Sequence, residues 1–502
     1  MKNKLNRFIP DNYLPYISSD NYLNYERKVI NEKKTNNKVV FFDTIDKVFK
    51  YIDIKNSNTI SFHHHLRNGD YVQNLVSEEI LRQDIKDIHY APSAIFPNNK
   101  ILCKLIENDN VTNIDTNYLN GSVAETIGRG LLKGMLVMNT HGGRPRKIES
   151  GELLIDVAFI ACPTVDKCGN GYGGIGPSSC GSLGYALSDV KYAKKVVLVT
   201  DNLIEKLDKV EIESKYVDAV LVVDSIGDPS GIVSGTTKIT KDPIGLKIAS
   251  LTSKLLNELG MIKDGMSMQT GAGGTSLAVA SYVKDIMIKN NIKGSFASGG
   301  ITSYFVDMQQ RGLFEKLMDV QCFDIDAVKS YNDNPNHYGM SASKYGNPYD
   351  NPVVNDLDIV ILGATEIDLD FNVNVVTDSY GHIMGGSGGH SDTAHGATIS
   401  IITTNLIKSR MPIIKDSVTT ITTPGEDVDV LVTERGIAIN PKRVDILEKL
   451  SNSKLPIFTI KELYELSHNI TGTPNKLERT DEVIGVVEYR DGTIIDTLYK
   501  YK

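Results

Sequence analysis

The sequence predicts a two-domain α/β protein in which helices cover mostly parallel sheets. Its 502 residues exceed the roughly 100–200 residues of one ordinary domain. Short, nearly continuous apolar segments alternate with amphipathic helical patterns, which is typical of parallel strands buried on both faces. Glycine-rich segments follow such strands in both halves of the chain. We therefore expect one α/β unit in each half.

The first half begins with a helical pattern and continues with alternating strands. Ile45, Val48, Phe49 and Ile52 recur at helical spacing, and Asp43 is the expected N-cap of this helix. Strands are predicted at residues 59–62, 111–114, 135–138, 153–161, 196–199 and 217–223.

The second half begins after a segment rich in small, polar, Pro and Gly residues, at residues 234–245. A helix then ends at Gly260, a favourable residue after a helix C-terminus. A strand at residues 266–270, a glycine loop and a helix at residues 276–289 follow. The predicted organisation is an N-terminal arm at residues 1–42, a first domain at residues 43–238 and a second at residues 239–502.

The two halves also share short sequence signatures. Residues 164–176 and 377–388 each contain an Asp, a Gly and then G-G-x-G beginning four residues after that Gly. Each segment is followed by a strand ending in T-x-N-L-I, at residues 200–204 and 403–407. Several elements in the same order predict that one α/β domain was duplicated.

Composition excludes several classes of protein. The 54 Lys+Arg and 62 Asp+Glu give a formal charge of −8, which argues against a nucleic-acid binder. Five cysteines without a C-x-x-C pair fit reduced, cytosolic thiols. The apolar runs are far shorter than the roughly 18 residues of a membrane span, and the first residues lack a signal peptide's apolar stretch. We expect a soluble cytoplasmic protein with no membrane or nucleic-acid partner.

Two glycine-rich loops are candidate anion sites. Gly271, Gly273 and Gly274 precede a predicted helix, whose N-terminus and free backbone N–H groups can bind an anion. The second loop offers successive N–H groups that could stabilise an oxyanion; it comprises Gly385, Gly386, Ser387, Gly388 and Gly389. Neither loop matches a nucleotide-binding signature. The alternatives are a tight turn for the first loop and a flexible surface loop for the second.

A histidine-rich loop follows the strand at residues 59–62. His63, His64 and His65 with Arg67 could form a cationic cluster that pairs with substrate carboxylates. Consecutive residues of a strand point to opposite faces, and no other spacing completes a zinc pattern, so we expect no metal. A histidine tract without function is the alternative. In the segment at residues 140–146, His141 and Arg144 could bind an anion or form a basic turn.

Seven stretches together resemble one known family. They are SFHHHLRNGD (61–70), THGGRPR (140–146), MQTGAGGTSLAVA (268–280), FASGGIT (296–302), LGATEIDLDFNVNV (362–375), MGGSGGHSDTA (384–394) and VTERGIAINP (432–441). The chain resembles the alpha subunits of bacterial citrate lyase, members of the CoA-transferase superfamily. The resemblance covers essentially the whole chain after the N-terminal arm.

This resemblance implies a fold and a reaction. The fold would be two tandem CoA-transferase-like domains whose glycine-rich loops meet at an interdomain site. The reaction would exchange acetyl for citrate on a carrier-protein thioester, giving citryl thioester and acetate. A beta subunit would then cleave the citryl thioester to oxaloacetate. The gamma subunit, an acyl carrier protein, would bear a phosphoribosyl-dephospho-CoA arm, for which CoA could substitute, and this chain would hold no covalent cofactor.

One departure from the wider superfamily bears on mechanism. Many CoA-transferases carry an E-N-G segment whose glutamate becomes acylated, and its counterpart here is Ser298, Gly299 and Gly300. Direct attack by a citrate carboxylate, through a mixed anhydride, is therefore the expected route. Such a route needs orientation and oxyanion donors more than a nucleophile. The two glycine loops are assigned to the oxyanion, and residues 63–67 and His390 to substrate binding.

Other functions remain open from sequence. The substrate could be citramalate, in the transferase subunit of citramalate lyase. A general acyl-CoA transferase or hydrolase is a second alternative, against which the missing glutamate counts. A ligand-sensing protein could also use this fold, because a fold alone does not assign a function.

Overall fold

The computed structural model describes residues 1–33, 38–233, 238–271, 273–474 and 479–501. The strands are β1 Val40–Phe42, β2 Thr59–Phe62, β3 Ile88–Pro92, β4 Val111–Thr116, β5 Leu136–Met138, β6 Val157–Ala161, β7 Thr164–Asp166, β8 Gly171–Tyr172, β9 Lys195–Thr200, β10 Leu203–Ile204, β11 Ala219–Val222, β12 Ser267–Thr270, β13 Gly294–Ile301, β14 Phe314–Cys322, β15 His337–Gly339, β16 Ile359–Leu362, β17 Glu366–Asp368, β18 Val373–Asn374, β19 Ile399–Thr403, β20 Ile407–Lys408, β21 Met411–Pro412, β22 Ile414–Lys415, β23 Val430–Val432, β24 Ile437–Ile439, β25 Ile457–Phe458, β26 Arg479–Glu488 and β27 Ile494–Tyr501.

The α-helices are α1 Ile45–Ile52, α2 Val72–Arg82, α3 Ile101–Glu107, α4 Ser122–Gly128, α5 Gly143–Glu149, α6 Leu187–Tyr192, α7 Pro243–Glu258, α8 Gly274–Asn290, α9 Ser303–Gln310, α10 Ile325–Asp333, α11 Ala342–Gly346, α12 His390–Gly396, α13 Val444–Lys449 and α14 Ile460–Thr471. Short 3₁₀ helices lie at Asn21–Asn24, Arg67–Gly69, Ser214–Tyr216, Pro229–Ile232, Val353–Asp356 and Gly425–Asp427. No helix in the described ranges is long and apolar enough to cross a membrane.

Two large, mostly parallel sheets confirm the predicted fold class. The first has the strand order β1-β11-β9-β6-β2-β3-β4-β5-β26-β27, and only its last pair is antiparallel among the described pairings. The second has the order β15-β14-β13-β12-β16-β19-β23-β24-β25, with β23 and β24 antiparallel. The central strands are buried on both faces, as their continuous apolar sequences predict.

The two sheets repeat one another strand for strand. Read from one side, the first contains β11-β9-β6-β2-β3-β4-β5 and the second β23-β19-β16-β12-β13-β14-β15. Thus β2 is equivalent to β12, β3 to β13 and β5 to β15. The T-x-N-L-I segments follow the equivalent strands β9 and β19, as the sequence repeat predicts.

The predicted alignment of residues 164–176 with 377–388 is wrong in register. Asp166 closes a turn by accepting bonds from the backbone N–H groups of Cys168 and Asn170. Asp368 makes the same turn with Asp370 and Asn372, and so does Asp378 with Tyr380 and His382. Strand pairing decides between them: Asp166 ends β7, which pairs with β8, and Asp368 ends the equivalent strand β17, which pairs with β18, so Asp368 is the counterpart. Glycine spacing misled the alignment because many loops share it.

The chain ends depart from the predicted domain limits. β1, assigned to the N-terminal arm, pairs with β11, and β26 and β27, assigned to the second domain, extend the first sheet beside β5. Strand pairing joins residues distant in sequence, so local patterns could not reveal it. The predicted division between residues 238 and 239 stays a prediction, and residues 234–237 of the predicted boundary segment lie outside the described residues.

Several predicted helices are confirmed with small changes at their ends. α1 has the predicted core face, but its N-cap is Thr44 rather than Asp43. α7 ends at Glu258, and Gly260 beyond it has a positive φ of 63°, as the predicted helix end requires.

The Asp368 turn generates a stability prediction. Asp368→Ala would leave the N–H groups of Asp370, Asn372 and Val418 without their acceptor, so we expect a loss of about 3 kcal/mol in the free energy of unfolding. Chemical denaturation measures this loss. Asp370→Ala, an exposed change in the same turn, is the matched control. Equal free energies of unfolding for the two variants would show that the Asp368 carboxylate does not stabilise this turn.

Candidate active site

The candidate site lies where the carboxyl ends of the two sheets meet. β2 leads into residues 63–67, and its equivalent β12 leads into the glycine loop that begins at Gly271. Gln321 near the end of β14 donates from Nε2 to the backbone oxygen of His64 at 3.0 Å, which ties the second sheet to the histidine loop. Ligands of open α/β sheets bind at such strand ends.

A second contact between the two halves joins residues 139–142, which follow β5, to the glycine loop at residues 385–389, and we call this contact the seam. The backbone N–H of His141 donates to the oxygen of Gly388 at 2.8 Å, and that of Leu119 donates to Gly385 at 3.2 Å. Gly386 has to be glycine here, because an added Cβ would lie 2.0 Å from the backbone oxygen of Asn117. The loop at residues 385–389 is therefore held rigidly against the first half of the chain.

This loop keeps several donors free. The backbone N–H groups of Gly385, Gly386, Ser387 and Gly389 have no acceptor among the described residues. The Ser387 hydroxyl is buried and also lacks a partner there. Free, fixed N–H groups of this kind are what an oxyanion site needs.

The three histidines occupy the predicted place but do not form a cationic cluster. His63, His64 and His65 are 2 %, 5 % and 0 % exposed. Burial lowers the pKa of His63 to about 4 and the pKa values of His64 and His65 well below the usual range. They are neutral near pH 7, so that part of the prediction is wrong. Sequence could not reveal the burial that causes it.

Arg67 supplies the positive charge of this loop. An arginine guanidinium does not lose its proton in proteins. The side chain is half-buried, and its guanidinium carbon lies 4.9 Å from the ring centre of Phe323 and 5.8 Å from that of Phe96. Its Nη1 has no hydrogen-bond partner in the described part of the chain. A substrate carboxylate could therefore pair with it.

The first glycine loop has open space beside Gly271 and Gly273, whereas a Cβ added at Gly274 would lie 2.8 Å from the backbone oxygen of Lys238. α8 begins at Gly274 with Gly273 as its N-cap, and no side chain caps it. The nearest atom to a Cβ added at Gly273 would be 3.9 Å away. The N–H of Gly271 already donates to Ile361, so Gly271 itself is not a free donor. Ala272 lies outside the described residues.

Residues 298–300, which the sequence comparison proposes as the counterpart of the E-N-G segment, form the end of β13. Gly299 has a φ of +100° at a β-bulge, and an added Cβ there would lie 2.6 Å from the Gln269 side chain. Ser298 is 1 % exposed, and its hydroxyl has no partner among the described residues. No carboxylate is present at Ser298, Gly299 or Gly300.

Both ring nitrogens of His390 already have partners. Its Nδ1 bonds the Thr423 hydroxyl at 2.7 Å and its Nε2 bonds the Gly363 oxygen at 2.9 Å. The assignment of His390 to substrate binding stays a prediction. Arg144 is similarly committed, because its guanidinium forms a two-bond pair with buried Asp189.

Asp392 is a site residue that sequence reasoning missed. Its Oδ1 accepts from the Thr140 hydroxyl and its Oδ2 from the Gly142 N–H, both at 2.9 Å. It thereby clamps both neighbours of His141. A buried acid two residues after His390, in the H-S-D segment, was the available signal, but its partners lie some 250 positions away in the chain.

One buried cluster has the ligand types of a metal site. Atoms of Asp319, Cys322 and His337 lie within 4.8 Å of one another. Asp319 Oδ2 accepts from Cys322 Sγ at 2.9 Å and bonds His337 Nε2 at 3.1 Å, while His337 Nδ1 bonds Ser330. These bonds account for the cluster without an ion, and the absence of a metal stays a prediction.

Comparison with known proteins places the chain among close relatives. The model of the family described as citrate lyase, alpha subunit, matches residues 36–501. The citrate lyase alpha chain of Haemophilus influenzae is 44% identical over 461 residues, 91% of this chain and 92% of that protein. That of Klebsiella pneumoniae is 42% identical over 92% of this chain and 91% of the relative.

Solved structures extend the similarity to the fold. A structure described as the alpha subunit of citrate lyase from Streptococcus mutans, in complex with citrate, has a TM-score of 0.93 and 42% identity, covering 100% of both chains. The malonate decarboxylase alpha subunit from Acinetobacter baumannii has a TM-score of 0.64 at 15% identity, over 89% of this chain and 96% of that one. The second likeness concerns the fold alone.

The Asp392 clamp generates a pH-dependent prediction. Burial raises the pKa of Asp392 to about 6, against about 3.9 when unfolded. The native state holds this proton more tightly, so its stabilising contribution is present at low pH and is lost as the pH rises through about 6. Relative to Asp392→Asn, which cannot titrate, wild type should lose about 1 kcal/mol of stability between pH 5 and pH 7.

Chemical denaturation of both proteins at the two pH values measures this difference. Asp370→Asn, an exposed aspartate in the second half, is the control for general charge effects. A difference between wild type and Asp392→Asn that does not change with pH would show that Asp392 does not titrate in this range.

Proposed function

The chain belongs to the family of citrate lyase alpha subunits, and from this membership we propose that it transfers a carrier thioester from acetyl to citrate. The products would be citryl thioester and acetate. The observation that carries the proposal is that two loops border His141: the loop of His64 and Arg67, which supplies a cation, and the loop at residues 385–389, which supplies free N–H donors. The cation suits a carboxylate substrate, and the donors suit an acyl-transfer oxyanion.

The proposed reaction moves one negative charge and needs no net proton transfer. A citrate carboxylate oxygen attacks the acetyl carbonyl carbon, and the resulting oxyanion collapses with cleavage of the C–S bond. This releases a thiolate and leaves a mixed citryl–acetyl anhydride. The thiolate then attacks the citryl carbonyl carbon, and the C–O bond to acetate breaks. Fixed donors stabilise each negatively charged species without exchanging protons.

The residues at the reaction centre favour this route over a covalent glutamyl enzyme. Ser298 stands at the position of the superfamily glutamate. Glu366, a buried glutamate of the second half, is fully engaged: Oε2 accepts from Asn374 and Thr419, and Oε1 accepts from Ser379. A carboxylate held by three donors is a poor nucleophile.

Partners follow from the proposed substrate. The thioester would be carried by a gamma subunit, an acyl carrier protein with a phosphoribosyl-dephospho-CoA arm, and CoA could take its place. A beta subunit would cleave the citryl product to oxaloacetate. This chain would carry no covalent cofactor of its own.

An assay of acetate release tests the proposed function. The full chain is mixed with acetyl-CoA and then with citrate or citramalate, and acetate is measured. We expect acetate with citrate and little with citramalate. If only citramalate causes acetate release, the chain is the transferase subunit of citramalate lyase. If neither acid causes release, a ligand sensor is favoured. Acetate release in the absence of both acids would indicate a hydrolase.

Arg67 gives this assay an internal control. Arg67→Ala should lower kcat/KM for citrate about 100-fold, because a charge-assisted bond to a carboxylate contributes about 1.5–3 kcal/mol. Arg311→Ala is the matched control, since Arg311 is exposed and pairs only with Asp307 on its own helix among the described residues. Equal kcat/KM values for citrate in the two variants would show that Arg67 does not bind citrate.

Borohydride labelling tests the absence of a glutamyl intermediate. The chain is incubated with acetyl-CoA, treated with borohydride and digested. The masses of the peptides are then measured by mass spectrometry. Every glutamate should remain unreduced, because the anhydride route acylates no side chain. A glutamate-dependent CoA-transferase treated in parallel is the positive control. Reduction of Glu366 or any other glutamate would rule the anhydride route out.

A further inference from the structure

His141 lies at the centre of the seam and has no role in the reaction described above. Its ring centre lies 4.6 Å from that of Tyr185, 6.0 Å from that of His64 and 6.5 Å from that of Tyr345. Both halves of the chain therefore contribute to the walls around it. On its remaining side, a Cβ added to Gly388 would be 3.5 Å from His141 Nε2.

His64 and His65 each use a ring nitrogen in a hydrogen bond: His64 Nδ1 bonds Ser93 at 2.6 Å, and His65 Nε2 accepts from the Tyr185 N–H at 3.3 Å. Neither ring nitrogen of His141 has a partner within the described ranges. Its Nδ1 is shielded from solvent, so Nε2, which faces Gly388, is the nitrogen that a ligand can reach. An imidazole with unused hydrogen-bonding capacity in a buried seam is suited to a ligand.

His141 is also accessible where the other histidines are not. His63, His64 and His65 are buried, whereas His141 is partly exposed. Its ring borders Gly388, and the neighbours of Gly388 carry free backbone N–H groups. We call residues 385–389 the oxyanion loop. A small molecule bound to that loop would therefore reach His141 before it reached the three buried histidines.

The backbone on both sides of His141 is fixed. Asp392 accepts from the Thr140 hydroxyl and from the Gly142 N–H, and His141 itself donates from its backbone to Gly388. The ring cannot leave the seam by a loop movement unless these bonds break. Such preorganisation makes a hydrogen bond effective in stabilising a transition state.

We propose that His141 is a further catalytic residue, whose Nε2–H donates a hydrogen bond to the oxyanion formed when a citrate carboxylate adds to the thioester carbonyl. This inference rests on the proposed function. The oxyanion accepts the bond while the new C–O bond forms, and it returns to a carbonyl when the C–S bond breaks. The imidazole proton stays on nitrogen throughout.

The protonation state of His141 agrees with this role. Burial lowers its pKa to about 3, so the ring is neutral near pH 7 and carries one N–H. A neutral donor stabilises an oxyanion without adding a second cation beside Arg67. It also cannot form a fixed ion pair with a substrate carboxylate in the ground state.

Three variants of the full chain test the proposal in the acetate-release assay. His141→Ala should lower kcat about 100- to 1000-fold, the usual effect of losing one oxyanion donor, with KM for citrate changed less than about threefold. His141→Gln should retain more activity than His141→Asn, because a glutamine amide lies near the place of Nε2 and an asparagine amide near that of Nδ1. His468→Asn, in α14, is the control.

Each outcome decides the proposal. His141→Ala with wild-type kcat, or with a loss confined to KM, would overturn it, as would a His141→Asn variant more active than His141→Gln. Melting temperatures of all variants check folding, and His141→Gln keeps the test decisive if His141→Ala does not fold. If wild type releases no acetate, the proposed function fails and the inference falls with it; if only the variant comparison fails, the proposed function stands.

Discussion

The buried carboxylate of Asp392 holds the two halves of this chain in register. It is fully buried, and it accepts one bond from Thr140 and one from Gly142 across the seam. Arg490 Nε lies 3.7 Å from it and offsets its charge. A buried acid left without such partners would be costly, so the loop after β5 has to lie against α12. That contact in turn places His141 against Gly388 and leaves the oxyanion loop no freedom to open.

The repeated topology explains why neither half contains a site by itself. Equivalent strands end in different chemistry: β2 leads to the histidines and Arg67, while β12 leads to bare glycine. Likewise β5 leads to His141, whereas β15, at the edge of the second sheet, ends at Gly339 and leads to Met340. One half thus supplies the guanidinium of Arg67, and the other supplies backbone donors and open space. Facing these two ends toward each other produces a site with both properties.

The electrostatics of this site suit acyl transfer without proton transfer. Burial keeps His63, His64, His65 and His141 neutral, so the accessible positive charge of the histidine loop is that of Arg67. Reactions that move one negative charge between oxygen and sulfur benefit from fixed dipoles more than from titrating groups. The absence of a carboxylate at Ser298 agrees with the same division of labour.

The sequence by itself determined the α/β class, the strand and helix order, both glycine loops and the position of Arg67 after β2, because periodicity and motif spacing are local properties of the chain. Only the tertiary structure decided which side chains are charged near pH 7 and which residues are in contact. His63, His64 and His65 are neutral because they are buried. His390 forms hydrogen bonds with Thr423 and Gly363, and the strands β26 and β27 join the first sheet. Asp392 and His141 gain their importance from partners far away in sequence. Pairing and burial depend on the whole fold, which no local pattern encodes.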